Sequence, residues 1–191
     1  MNRILLAIAL YSVILIPITS EAQVNEIKPK PNAAGTESIV RLAVKSDAFK
    51  NSQLIPAKYT CDSLDISPSL SWPKPPASTR SLALICDDPD APGGTWIHWV
   101  IFNIPASDTI LAENIAKRDT VGSMIQGKNS FGKIGYGGPC PPPGKPHRYF
   151  FHLCAVDKML DLKPGASDKE VMDAITGHIV AMGEIMGRYG R

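Results

Sequence analysis

Residues 81–103 read SLALICDDPDAPGGTWIHWVIFN. The two ends of this stretch, Ser81 to Cys86 and Thr95 to Asn103, are short, apolar and rich in aromatic or β-branched residues, which is the composition of strands. Their near-continuous apolar character predicts burial on both faces, as in the middle of a sandwich or of a covered sheet. The connecting Cys86-Asp87-Asp88-Pro89-Asp90-Ala91-Pro92-Gly93-Gly94 follows the first strand directly. A turn carrying the carboxylates of Asp87, Asp88 and Asp90 is thereby held at the mouth of a buried sheet. Taken alone, an Asp-Pro turn needs to do no more than cap backbone N–H groups and end a strand.

Working outward, His147 to Val156 (HRYFFHLCAV) has the same strand character, and Ile39 to Val44 is a weaker fourth segment. One histidine in an apolar strand is ordinarily a satisfied core residue. Strand alternation changes that reading, because Trp96 and His98 share a face, as do His147 and Tyr149. Two aromatic–histidine pairs and a carboxylate at a strand end describe a pocket with aromatic walls and polar groups at its base. The segment Gly135 to Gly144 (GYGGPCPPPG) is either a plain surface turn or a stiff loop whose backbone N–H groups can approach an anion. It lacks the Lys-Ser/Thr ending of a nucleotide-binding loop.

One helix is signalled. Ser167-Asp168-Lys169-Glu170 has capping-box spacing, and Val171, Ile175, Ile179 and Met182 recur at helical intervals, so the pattern predicts a helix from 168 to 182. Gly177 lies inside it at a cost of about 1 kcal/mol relative to Ala, for no reason visible in the sequence. The many prolines cluster between segments, at Pro73 to Pro76 and Pro139 to Pro146, which favours short strands joined by ordered loops.

Residues 1–22 read as an export signal: a basic start at Arg3, an apolar run from Ile4 to Ile16, and Ser20-Glu21-Ala22 as a small-x-small cleavage site. The run is interrupted by Pro17 and falls short of the roughly 20 apolar residues that span a bilayer, so no integral anchor is expected. Residues 23–38 are polar and Pro/Gly-rich, a flexible lead-in. Residues 39–191 make one domain. A net charge of +2 with no Lys/Arg run excludes a nucleic-acid binder. No Gly-x-Ser-x-Gly elbow marks a serine hydrolase. Two histidines and an aspartate are the inventory of a 2-His-1-carboxylate metal site, but here they are widely spaced. Four cysteines in an exported chain allow three complete pairings, among which the count does not choose.

Together, Tyr59-Thr60-Cys61-Asp62, Ile66 to Trp72 (ISPSLSW), Asp88-Pro89-Asp90-Ala91-Pro92, His98-Trp99-Val100, Gly135 to Pro142, His147-Arg148-Tyr149 and Gly187 to Arg191 resemble the phosphatidylethanolamine-binding proteins, and among them the bacterial Raf kinase inhibitor-like (YbhB/YbcL) branch. The resemblance runs from about residue 40 onward; Ser63 and Met182-Gly183 depart from its usual residues. It implies an all-β sandwich of two antiparallel sheets with Greek-key connections and peripheral helices, including one near the C-terminus. It places Asp88, His98 and His147 around an anion, with the Cys140 N–H as a donor and Trp96 and Tyr149 as walls. It suggests a cis peptide before Pro92. Cys61 and Cys140 both fall in these motifs and in polar turns, whereas Cys86 and Cys154 sit in apolar strands, so a Cys61–Cys140 disulfide with two reduced thiols is expected.

The function so implied is that of an exported, periplasmic or secreted, non-catalytic module without metal or cofactor. Its ligand would be a small phosphorylated, anionic or zwitterionic molecule, a phospholipid head group being one candidate. The alternative is an inhibitor or interaction protein acting on an extracytoplasmic protease or a host partner, with hydrolase and metalloenzyme readings ranked below. Monomer and homodimer both stay open.

Overall fold

The computed structural model describes residues 39–191; the export signal and the lead-in fall outside the described residues. The chain forms β1 (Val40–Arg41), a 3-10 turn (Ala57–Tyr59), β2 (Leu70–Ser71), β3 (Ser81–Asp88), β4 (Trp96–Pro105), β5 (Ile110–Leu111), β6 (Thr120–Val121), β7 (Met124–Gln126), β8 (His147–Val156), α1 (Asp168–Ile175) and β9 (Ile179–Tyr189). The large sheet runs β1-β9-β8-β3-β4-β7-β6, and β2 pairs with β5 in a small second sheet. Most pairings are antiparallel, as expected, but β1 runs parallel to β9 and makes the large sheet mixed.

The three strands read from composition lie side by side at its centre, and alternate residues of each feed two cores. Leu82, Leu84, Trp99, Ile101, Phe151 and Leu153 pack with Leu70 and Leu111 of the small sheet. Ala83, Ile85, Val100, Phe102, Cys154 and Val156 pack with Val171 and Ile175 of α1. Both faces are thus covered, which is why β3 and β4 read as nearly unbroken apolar runs.

Two expectations are corrected. The helix stops at Ile175 rather than Met182, although its capping box forms as read: Ser167 accepts from the Glu170 N–H and the Glu170 carboxylate accepts from the Ser167 N–H. Gly177 ends it, with φ of 82°, a conformation glycine adopts without a Cβ penalty. Ile179 and Met182 belong to β9, whose pairing with β8 continues from Ile179↔Val156 to Tyr189↔His147. The peptide before Pro92 is trans, since no cis bond occurs among the described residues. There the chain reverses through a four-residue turn closed by the Gly94 N–H on the Ala91 carbonyl (3.1 Å), and Pro92 at its second position suits a trans bond.

Beside β9 the backbone of Leu42 comes so close to Gly183 that a Cβ there would strike the Leu42 carbonyl. The Leu42 N–H bonds the neighbouring Met182 carbonyl at 2.7 Å, so this approach is part of the sheet. Gly183→Ala is expected to cost about 2–3 kcal/mol, because the obstacle is backbone and cannot rotate away. Urea unfolding measures it, and a loss below 0.5 kcal/mol would show that β1 moves aside freely.

Candidate functional site

Residues that are distant in sequence meet at the β3–β4 turn end of the sheet. Asp88 ends β3 and is buried, with Oδ1 accepting from the Asp90 N–H (2.9 Å) and Oδ2 paired to Nδ1 of His147 at the start of β8 (2.7 Å). Both carboxylate oxygens are engaged within the protein, so Asp88 orients His147. Because Asp88 shows no donor of its own when ionised, the shared proton sits on His147 Nδ1, leaving Nε2 for a ligand.

His98 is placed by a β-bulge. Asp87 pairs with Ile97 and Cys86 with Trp99, so His98 is the extra residue of β4. Ile97 joins the helix-side core and Trp99 the other, while the His98 ring meets Tyr149 edge-on at 5.1 Å. The bulge therefore turns two consecutive residues, His98 and Trp99, to one face. His98 Nδ1 donates to the Gly137 carbonyl (2.6 Å), and the Gly137 N–H returns a bond to the His98 carbonyl (2.8 Å). A carbonyl only accepts, so Nδ1 carries the proton and Nε2 again faces outward from the clamp. Burial holds the His98 pKa below the usual imidazole value, although the Gly137 carbonyl and the Asp88 charge pull it upward.

Tyr149 lies on the same face of β8 as His147, and its ring is fully buried. Its hydroxyl is also buried and has no partner at good hydrogen-bond geometry, although the Asp88 carboxylate lies near enough to act on it. Burial first, then the nearby Asp88 charge, push the phenol well above its ordinary pKa, so it is a neutral donor. Trp96 is partly exposed at the rim and meets Phe131 edge-on at 5.3 Å; Phe131 also meets His98 at 5.5 Å. Cys140 sits in the loop between Gly137 and His147, exposed and bonded to Cys61, while Cys86 and Cys154 are free and buried on opposite faces.

A hollow of ≈ 370 Å³ lies beside this cluster, lined by Asp90, His147 and residues 142–146, so that of the four grouped side chains His147 alone reaches its wall. A wider, shallower hollow bounded by Arg118, Asp119, Thr120 and Gly122 holds none of these groups. The residues singled out in the sequence divide by role. Asp88, His98, His147 and Tyr149 converge, Trp96 stands at the rim, and Cys140 is held in the adjoining loop. The other two turn carboxylates work elsewhere: Asp90 forks onto Arg148 (2.7 and 2.9 Å), which depresses its pKa, and Asp87 contacts His152 (3.4 Å) on the opposite face. His152 also contacts Glu184 (3.2 Å), and although burial opposes it, the two carboxylates raise its pKa. Among the described residues no group of His, Cys, Asp or Glu is arranged to hold a metal.

Phe131 was missed by sequence reading. Its one signal is a large aromatic residue alone in the polar run Lys128 to Lys133 (KNSFGK).

The family model described as phosphatidylethanolamine-binding protein matches residues 45–190. The chain belongs to the phosphatidylethanolamine-binding protein family. Relatives within it include a UPF0098 protein of Methanothermobacter thermautotrophicus, 53% identical over 150 residues (78% of this chain, 98% of that protein). A UPF0098 protein of Aquifex aeolicus is 48% identical over 152 residues, covering 78% and 89%. Among solved structures, E. coli YbcL superposes with a TM-score of 0.74 at 34% identity, covering 78% of this chain and 98% of YbcL. A family homolog from Chlamydia trachomatis gives 0.73 at 38%, covering 79% and 98%. These neighbours share its β-rich fold.

Proposed function

We propose that this family member binds a small anion or phosphorylated head group between His98, His147 and Tyr149. In this reading Asp88 orients His147, Trp96 forms the rim, and the Cys140 N–H is a donor from the loop. The observation that carries it is the Tyr149 hydroxyl. A buried donor left without a partner costs about 1–3 kcal/mol, and a ligand oxygen placed among these rings would remove that cost. The two Nε2 atoms and the hydroxyl then act on one anion, each imidazole becoming charged as it donates. Neither imidazole hydrogen-bonds a serine or cysteine among the described residues, which favours holding a ligand over transforming it.

The proposal includes location and chain organisation: residues 1–22 as an export signal, 23–38 as a lead-in, and 39–191 as the binding domain of a periplasmic or secreted protein. The Cys61–Cys140 disulfide supports it, since such bonds persist in oxidising compartments. No described helix is long and apolar enough to cross a membrane.

Tyr149→Phe separates the ligand reading from a merely structural one. Sulfate and phosphoethanolamine affinities, measured by titration calorimetry, are expected to fall by about five- to tenfold, the value of one hydrogen bond. Thermal stability without ligand should stay level or rise, because an unpaired buried hydroxyl has been removed. Unchanged affinity for both probes would take Tyr149 out of the site.

A further inference from the structure

We propose that the Cys61–Cys140 disulfide is a site of thiol–disulfide exchange, attacked at Cys140 Sγ by a dithiol reductant with Cys61 Sγ as the leaving thiolate, and that opening it loosens the loop beside the ligand site. The exchange rests on the disulfide's own surroundings; the loosening also rests on the ligand reading above.

Both cysteines are exposed. They differ in their neighbours. The Arg191 guanidinium lies 3.1 Å from Cys61 Sγ, and no cation is described on Cys140 Sγ. A thiol beside an arginine is more acidic, and the more acidic thiol leaves faster, so the bond should break toward Cys61. The Asp62 carboxylate opposes this, but its Oδ1 is 4.0 Å from the sulfur and accepts from Arg191, while its Oδ2 accepts from Arg191 and from the Tyr189 hydroxyl (2.6 Å). Arg191 is itself ion-paired to Asp62, but its guanidinium is the nearer of the two groups to the sulfur and directs a donor at it.

The step balances without any further reagent. A thiolate of the dithiol forms a bond to Cys140 Sγ while the Cys61–Cys140 bond breaks and its electron pair goes to Cys61 Sγ. The second thiol then attacks the mixed disulfide and releases Cys140 as a thiolate, which takes up a proton. The dithiol is oxidised to a disulfide and the protein gains two electrons.

The mechanical consequence follows from what pins the loop. On its near side it is fixed to the 59–65 segment by the Tyr136 hydroxyl on the Tyr59 carbonyl (2.8 Å), the Gly138 N–H on Asp65 (2.6 Å) and the Cys61 N–H on the Pro139 carbonyl (3.1 Å). Beyond Cys140 the described backbone contact is the Gly144 N–H on the Arg191 backbone oxygen at 3.3 Å. The disulfide is therefore the covalent restraint on the start of this loop, whose residues 142–146 line the hollow with His147. Arg191 links the two, touching the sulfur with its side chain and the loop with its backbone oxygen.

The exchange is tested on the full oxidised protein with glutathione, trapping free thiols by alkylation and mapping the products by mass spectrometry. Glutathione is expected on Cys140 and the alkyl group on Cys61, and Arg191→Gln should slow reduction by dithiothreitol about three- to tenfold. Glutathione found mainly on Cys61, or an unchanged rate in Arg191→Gln, would overturn the direction of exchange. The loosening is tested by sulfate calorimetry on dithiothreitol-reduced protein at 25 °C, with near-ultraviolet circular dichroism to follow the fold. Affinity should drop about fivefold with the spectrum retained. Unchanged affinity, or loss of the fold on reduction, would overturn it, since a gate must open without unfolding. If sulfate does not bind the oxidised protein, the gate falls with the ligand reading while the exchange result stands.

Discussion

Replacing Cys61 and Cys140 together by alanine is expected to destabilise the domain by about 4–5 kcal/mol, from the entropy returned to an unfolded chain whose cross-link spans 79 residues. For a domain of this size that is a fall in Tm of roughly 10–15 °C. The size of the loop dominates, so the effect should exceed that of any single side chain in the β3–β4 turn. Matching Cys86→Ala and Cys154→Ala variants are the controls. These thiols lie in the two separate cores and cannot reach one another, so they lose only packing contacts. Calorimetric melting under oxidising conditions makes the comparison. A double variant melting within 2 °C of the parent would mean that the 59–65 turn and the 135–146 loop are held together by their hydrogen bonds alone.

Affinity for sulfate should weaken steeply as pH rises, by up to about tenfold per pH unit for each histidine that must charge on binding. The sign follows from His98. Its Nδ1 proton is committed to the Gly137 carbonyl, so it can donate to an anion only by taking a second proton on Nε2. Burial lowers its pKa in the free protein, and a bound anion raises it. Affinity is then greatest below the free-state pKa, falls between the free and bound values, and levels off above the latter. Sulfate stays fully charged throughout this range, which isolates the imidazole response. His98→Ala should lower affinity in mild acid and flatten the slope; a pH-independent affinity in the unmodified protein would remove both histidines from the anion site.

Stability without ligand responds in the opposite sense at this residue. The unfolded chain holds the His98 proton more tightly than the folded one, so acid costs stability from about pH 6.5 down to the lowered folded value. His152 contributes with reversed sign: between Asp87 and Glu184 its pKa is raised, so its stabilisation is present in acid and is lost as pH rises through the folded value. Charge-linked stability is therefore a contest between the two faces of one sheet.

The amino-acid order by itself was enough for the three central strands, because most of β3 and β4 and the second half of β8 are buried on both faces and only dense apolar, β-branched and aromatic runs survive there. It was enough, too, for the capping box at Ser167–Glu170, a contact over three residues, and the family resemblance singled out Asp88, His98, His147 and Tyr149, which the fold brings near one another. Tertiary structure decided the rest. Ile179 and Met182 continue a helical spacing on paper, yet the long open edge of β8 takes residues 179–189 as a strand, because pairing that whole length outweighs helix propensity in so short a segment. The bulge that aims His98, the Phe131 ring over it and the Arg191 guanidinium on Cys61 each join elements far apart in the chain. Such contacts depend on strand register and loop path, which a local pattern does not encode. The Asp88–His147 pair spans 59 residues, and the two become partners only because β3 and β8 are neighbours in the sheet.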